Sequence, residues 1–255
     1  SFIASFKDPD RGYAQSNAVT IVATMGVLAV ATYLGGKFGH VIVFAVLALV
    51  CLLLMVALYP IPQRKPYVSV RAEGGVGGRR GYVLLLAMLI WGTGNGATWA
   101  FLLQLGAETG ASPGLISASI SSWALGGFLG GIVVSWLSGR VDRMHVLTAI
   151  IVLNCVNGVL LTNTEQPAVY FVTSFMQLFC VYSVMPYMLG IGAELDQSGG
   201  AAAAVGAMFM LTGATGPLVG GLLVETGGYP AIGWHLLVTA IIGWFLLRYA
   251  NRKTA

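Results

Sequence analysis

Long apolar stretches dominate the chain, and short polar stretches separate them. Eight apolar stretches can be marked: Ala14–Leu34, Val41–Tyr59, Tyr82–Ala107, Pro113–Leu137, Val146–Thr162, Ala168–Leu189, Ala201–Val224 and Ala231–Leu247. Their lengths are close to the roughly 20 residues that an α-helix needs to cross a bilayer. The apolar residues do not alternate with polar ones, as they would in the strands of a membrane β-barrel. Because backbone in lipid must satisfy its own hydrogen bonds, the pattern predicts eight transmembrane helices.

Composition also indicates a membrane protein. Hydrophobic residues make up 57% of the 255 residues and charged residues make up 9%, whereas a soluble domain carries about 25% charged residues. The three cysteines lie inside apolar stretches, without the spacing of a disulfide framework or a metal site. We therefore predict an all-α, polytopic membrane protein that holds no metal and no cofactor.

Positive charges indicate how the helices are oriented. If the chain starts on the cytoplasmic side and crosses the membrane eight times, every lysine and arginine except Lys37 falls on that side. A helix missed or added would scramble this asymmetry, so the positive-inside rule supports both the count and the orientation. Both termini of the chain are therefore predicted to be cytoplasmic.

One connection is longer than the others and divides the chain. Residues 60–81 are polar, rich in glycine near their end, and carry five of the cations. We predict a flexible cytoplasmic linker over 60–81, which joins two transmembrane helices in 1–59 to six in 82–255. In the simpler interpretation its basic cluster fixes the topology, and the alternative is that it binds anionic lipid headgroups.

The short loop after the fourth stretch reads Ser-Gly-Arg-Val-Asp-Arg, from Ser138 to Arg143. A carboxylate near a helix N-terminus is stabilised by the helix dipole, which suits Asp142. Arg143 beside it can pair with a residue of another helix, and such contacts would hold the cytoplasmic side closed. The alternative is that Arg140 and Arg143 only fix the topology.

Small residues cluster in the seventh stretch, which contains Gly-Pro-Leu-Val-Gly-Gly from Gly216 to Gly221. Glycine lets helices approach closely, and proline removes a backbone hydrogen bond and bends a helix. We predict a bend at Pro217. Close helix packing is predicted for the three glycines of the motif, Gly216, Gly220 and Gly221.

Together these features resemble the major facilitator superfamily, in which a central loop joins two six-helix halves. The 138–143 loop is similar to a degenerate second copy of that family's Gly-x-x-x-Asp-Arg signature, and 216–221 is similar to its bent-helix signature. The resemblance implies that this chain holds helices five to twelve of the family fold and is truncated at its N-terminal side. The missing helices would come from the same protein or from a partner chain.

The resemblance implies a function and a cellular place as well. It implies a secondary active or facilitative transporter of a small solute, working by alternating access in the bacterial inner membrane, with no nucleic-acid partner. The stretch Glu194–Gly200 resembles a loop of bacterial members. Glu194 would then complete a cytoplasmic gate with Asp142 and Arg143.

Polar residues inside the predicted spans are candidates for the substrate pathway, because they usually face a cavity or another helix. Trp91, Asn95 and Thr98 are spaced by four and three residues and so share one helix face. Family resemblance places this segment beside a central cavity. Gln177 and Tyr187 offer a second polar face in the sixth stretch. Hydrogen bonding between helices is the alternative role for such residues.

Two alternatives to transport remain open at this point. In the first, the chain is a structural or assembly protein of the membrane. In the second, it is an inactive fragment. An intramembrane enzyme is disfavoured because Ser138 and His235 are predicted at opposite faces of the membrane, so no catalytic residue is assigned. Since no Asp or Glu falls at the centre of a predicted span, a group that carries a coupling proton is expected in helices outside this chain.

Overall fold

A computed structural model describes residues 8–39, 41–58 and 76–252. Within these ranges the chain forms helices and no strands, in the order α1 (Pro9–Phe38), α2 (Val41–Leu58), α3 (Gly78–Ala100), α4 (Leu102–Glu108), α5 (Pro113–Leu137), α6 (Arg143–Asn163), α7 (Pro167–Leu195) and α8 (Gly200–Ala250). The predicted all-α class is confirmed. Most of the predicted linker over 60–81 lies outside the described residues.

Five of these helices are long and apolar enough to cross a membrane, namely α3, α5, α6, α7 and α8. Helix α2 is a shorter apolar helix, and its exposed side chains include Val41 and Phe44. Exposed apolar side chains of this kind suit contact with lipid or with further helices. The prediction of exactly eight crossings stays a prediction.

Helix α8 covers the seventh and eighth apolar stretches together. It has 51 residues, and a continuous helix of that size would be about 76 Å long at 1.5 Å per residue. The backbone leaves helical geometry at Gly228, where φ is 69° and ψ is −176°. A positive φ is open to glycine because it has no Cβ. The interruption therefore falls between the two predicted spans, at Gly228, and the bend at Pro217 stays a prediction.

Helices α3 and α8 approach each other closely through small residues. A Cβ added at Gly216 would overlap the backbone of Gly96, and a Cβ added at Gly220 would lie 2.8 Å from the ring of Phe101. By contrast, a Cβ at Gly221 would meet nothing within 4 Å, and Pro217 is exposed. Two of the three glycines in the motif thus lie in the contact between α3 and α8.

Substitution of Gly216 tests this close approach. The Gly216→Ala change is expected to lower the free energy of unfolding by about 1–3 kcal/mol, because the methyl group would force α8 away from α3. Gly221→Ala is the matched control on the same helix, and it is expected to cause no loss, since its methyl group meets open space. Unfolding of the purified variants in detergent measures both. Equal losses in the two variants would contradict the packing described.

Helix α1 packs against α5 and α7. Its small residues meet glycines of α5: a Cβ added at Gly131 would lie 3.1 Å from the carbonyl oxygen of Ala14 and 3.3 Å from the Cβ of Ala18. One turn further, a Cβ at Gly127 would lie 3.0 Å from Ile21. This contact brings the first turn of α1 to the loop between α5 and α6, where charged residues collect.

Candidate functional site

Arg143 joins four helix ends through its guanidinium group. Its Nε donates to Asp10 Oδ2 at 2.7 Å, and its Nη1 donates to Glu194 Oε2 at 2.9 Å and to Asn251 Oδ1 at 3.1 Å. Its Nη2 donates to the other oxygen of Glu194. These four residues are called the Arg143 cluster below. A planar guanidinium suits such a site because its fork of N–H groups can bind a carboxylate at two points.

Helix caps place the members of the Arg143 cluster. Asp8 accepts a hydrogen bond from the backbone N–H of Arg11 at 3.2 Å, in the manner of an N-cap, and Pro9 opens α1. Asp10 is therefore held in the first turn of α1. Glu194 lies in the last turn of α7, and Asn251 caps the end of α8.

Asp142 caps α6 and stands beside the cluster. Its Oδ1 accepts hydrogen bonds from the backbone N–H groups of Met144 at 3.0 Å and His145 at 3.2 Å. This N-cap fixes the start of α6 and so the position of Arg143 at the first helical residue. Of the three residues predicted for a cytoplasmic gate, the structure joins Arg143 and Glu194 to each other and gives Asp142 a capping contact.

Burial differs sharply across the cluster. The side chain of Asp10 is 6% exposed and that of Arg143 is 16% exposed, whereas that of Glu194 is 51% exposed. An exposed ion pair contributes little to stability, while loss of one partner from a buried pair leaves a charge without water. The Asp10–Arg143 contact therefore dominates the energetics of this site.

Burial of the Asp10 carboxylate costs more free energy than its ion pair with Arg143 offsets. Its Oδ1 is buried without a hydrogen-bond partner and packs onto Gly190, where an added Cβ would overlap that oxygen. Burial raises the pKa of Asp10 to about 7, against the opposing effect of Arg143. The sequence analysis did not single out this residue, because it lies in the polar start of the chain before the first apolar stretch.

A second group of polar residues lies between α3, α6 and α7. Gln177 Nε2 donates to Asn95 Oδ1 at 2.9 Å, and Asn157 Nδ2 donates to Gln177 Oε1 at 2.9 Å. Asn95 Nδ2 in turn donates to the carbonyl oxygen of Trp91 at 2.9 Å. The three amide side chains are called the amide chain below. All three are buried, so the two amide–amide bonds link helices in a setting where an unpaired amide would be costly.

The structure brings together some of the predicted pathway residues and separates others. Asn95 and Gln177 contact each other in the amide chain, and buried Thr98 donates to the carbonyl oxygen of Gly94 at 3.0 Å on the same helix. Trp91 and Tyr187 are also buried, and their side-chain polar atoms have no hydrogen-bond partner. Tyr187 lies ten residues beyond Gln177, about 15 Å further along α7.

Comparisons with known proteins agree with this all-helical architecture. The family model described as Major Facilitator Superfamily matches residues 84–255. The structure is similar to that of the fucose:proton symporter FucP of Escherichia coli, with a TM-score of 0.63 and 17% sequence identity over 86% of this chain and 56% of that chain. A structure of FucP described as a Major Facilitator Superfamily transporter in the outward conformation gives a TM-score of 0.62, with the same identity and coverage.

No curated protein matches the sequence. The chain spans 56% of the length of the solved transporters that it resembles, and at 17% identity the likeness shows the fold. The family match covers more than half of the chain. This match confirms the expectation that the chain is related to this family, whose members are membrane transporters rather than enzymes. The chain belongs to the major facilitator superfamily.

Proposed function

We propose that this chain is part of a secondary active or facilitative transporter, which moves a small solute across the bacterial inner membrane by alternating access. In this proposal the chain crosses the membrane eight times, with both of its ends in the cytoplasm. The eight crossings are α1, α2, α3 with α4, α5, α6, α7 and the two parts of α8 on either side of Gly228. In this proposal they correspond to helices five to twelve of the family fold.

The proposal divides the chain into two parts. Helices α1 and α2, within 1–59, would end the N-terminal half of the transporter. Residues 60–81 would be the linker, and 82–255 would form the C-terminal half. Alternating access requires contacts between the halves that close one side of the membrane and can be broken again.

The Arg143 cluster is the observation that carries the proposal. Asp10 belongs to α1, in the proposed N-terminal half, and Arg143 and Glu194 belong to α6 and α7, in the proposed C-terminal half. In this division, the guanidinium of Arg143 forms a contact between the two halves at one end of the molecule. We propose that this contact, together with the Asp142 cap that positions Arg143, acts as the cytoplasmic gate.

The substrate pathway is proposed to run beside α3 and α7. Its candidate residues remain Trp91, Asn95, Thr98, Gln177 and Tyr187. They are neutral, which favours a neutral or amphipathic solute over a charged one. A hydrogen bond of the amide chain joins α3 to α7. The amide chain would therefore shape the wall of the pathway even where its polar groups bind each other and not the solute.

Uptake by reconstituted vesicles tests the proposal. The reading frame upstream of Ser1 is sequenced first, so that the assay uses whatever complete protein it encodes. We expect saturable uptake of at least one member of a panel of neutral solutes, fucose among them, above that of empty vesicles. Runs with and without a proton gradient separate coupled from facilitative transport. Correctly inserted protein that moves none of the panel under either condition would contradict transport.

Substitution of Gln177 tests whether the amide chain belongs to the proposed pathway, with the uptake rate as the measurement. Gln177→Leu would leave the buried Oδ1 of Asn95 without its donor, at about 1–3 kcal/mol. It would also remove one of the two acceptors of Asn157 Nδ2, which keeps the carbonyl oxygen of Thr173. We expect its uptake rate to fall at least about tenfold. Gln166→Leu is the control, because Gln166 is exposed at the start of α7. An uptake rate equal to that of the unmodified protein in Gln177→Leu would exclude the amide chain from the pathway.

A further inference from the structure

A groove of about 380 Å³ lies between α1 and α5, at the same end of the molecule as the Arg143 cluster. Its volume is in the range of pockets that hold small molecules. It is lined on one side by α1 and on the other by the end of α5 and the loop that follows. The residues that carry the argument are Arg11, Arg140, Trp136, Ile132 and Ser135.

The upper part of the groove is basic. Arg11 and Arg140 line it and are both exposed, and the guanidinium of Arg140 lies 4.9 Å from the ring centre of Trp136. The nearby carboxylate of Asp8 accepts hydrogen bonds from Ser138 Oγ at 2.9 and 3.0 Å and does not line the groove, so the two cations outnumber it. Two guanidinium groups beside one cavity offer several N–H donors, and each group can bind a phosphate through two of them.

The lower part of the groove is apolar. Ala18, Gly131 and Ile132 form its floor, and Ile132 is 44% exposed. Trp136 is 61% exposed at the end of an apolar helix, a position typical of tryptophan at the boundary between lipid and water. With Trp136 at that boundary, the basic part of the groove would lie at headgroup level and the apolar part would continue into the membrane.

We propose that this groove binds one anionic phospholipid, with its headgroup phosphate between Arg11 and Arg140 and the start of an acyl chain on Ile132. A free phosphate would use the arginines alone, whereas a lipid uses the basic and the apolar parts together. The occupant would bridge α1 and α5. Binding therefore reinforces the contact between α1 and α5, next to the contact of α1 with α6 that Arg143 makes, and it does not depend on which solute is transported.

Lipid titration of the purified, delipidated protein in detergent tests the site. The probe is a short-chain phosphatidylglycerol, and bound lipid is counted by native mass spectrometry. We expect one tight site, with affinity at least about tenfold lower for a matched phosphatidylcholine. The Arg11→Gln/Arg140→Gln double variant is expected to lose at least tenfold in phosphatidylglycerol affinity, and both side chains are exposed, so the fold should persist.

Matched variants separate this site from diffuse attraction to charge. Arg248 also lies over a tryptophan, 5.4 Å from the ring centre of Trp244, but does not line the groove, so Arg248→Gln should leave the affinity unchanged. Ile132→Glu should weaken lipid binding without weakening binding of inorganic phosphate. The proposal is overturned if Arg248→Gln matches the double variant, if phosphatidylcholine binds equally well, or if inorganic phosphate binds as tightly as the lipid.

Discussion

Replacement of Arg143 by glutamine is expected to lower the free energy of unfolding by about 2–4 kcal/mol and to open the end of the molecule where α1 meets α6 and α7. The change removes the cation that faces Asp10, whose side chain is 6% exposed. Removal of one partner from a fully buried ion pair costs about 3–5 kcal/mol. We expect a smaller loss because Glu194 is half exposed and Asp10 can take up a proton instead.

Opening can be measured with a cysteine placed under the first turn of α1. Ala193 is 1% exposed and packs with Tyr13 of α1 and Ala202 of α8. An Ala193→Cys reporter should react slowly with maleimide while the cluster is intact and several-fold faster when Arg143 is replaced. A cysteine at exposed Glu165, between α6 and α7, provides an internal standard in the same chain.

Two control variants decide between a gate and a purely topogenic role. Arg140 lies in the same loop and carries the same charge, but it contacts Trp136 rather than a carboxylate. If the two arginines only fix topology, Arg140→Gln and Arg143→Gln will have equal effects, and the gate is contradicted. Glu194→Gln is expected to cost less than about 1 kcal/mol, because its contact with Arg143 is exposed to water.

The helices could be predicted from the sequence because lipid imposes a simple rule. Long apolar runs must form helices, and the runs Pro113–Leu137 and Val41–Tyr59 match α5 and α2 closely. The interruption in α8 was harder to place. Proline at 217 removes a donor but stays within the helix, while the positive φ that ends helical geometry belongs to Gly228. The residue types alone do not show at which of these two positions the backbone leaves helical geometry.

Pairings between distant residues could not be read from the sequence. Asn95 and Gln177 were each predicted as polar residues of their helices, yet 82 positions separate the two partners of their hydrogen bond. The partner of Arg143 was expected on another helix, and Glu194 was among the candidates. Asp10 was missed because its burial depends on the absence of a side chain at Gly190. That absence has meaning only after α1 has been packed against α7.

The same burial predicts how the gate should respond to pH. The pKa of Asp10 is raised by burial from 3.8 to about 7 in the closed arrangement, and it should return toward its ordinary value when water reaches the carboxyl group. The closed form therefore binds the proton more tightly than the open form. Closure is strengthened as pH falls through 7 and weakened as pH rises through it, with little further change below about pH 4.

The charged groups that act on Asp10 are Arg143, Glu194 and Asp8, and variants distinguish them. From the two pKa values, the ratio of closed to open protein should rise about thirtyfold between pH 8 and pH 5.5. The ratio of Ala193→Cys labelling to Glu165→Cys labelling reports this change and cancels most of the effect of pH on thiol reactivity. Asp10→Asn should abolish the dependence, because its amide oxygen still accepts from Arg143 but carries no titrating proton. Asp8→Asn should retain the dependence, since that carboxylate is held by Ser138. A pH response that survives in Asp10→Asn would assign the titration to another group and remove Asp10 from control of the gate.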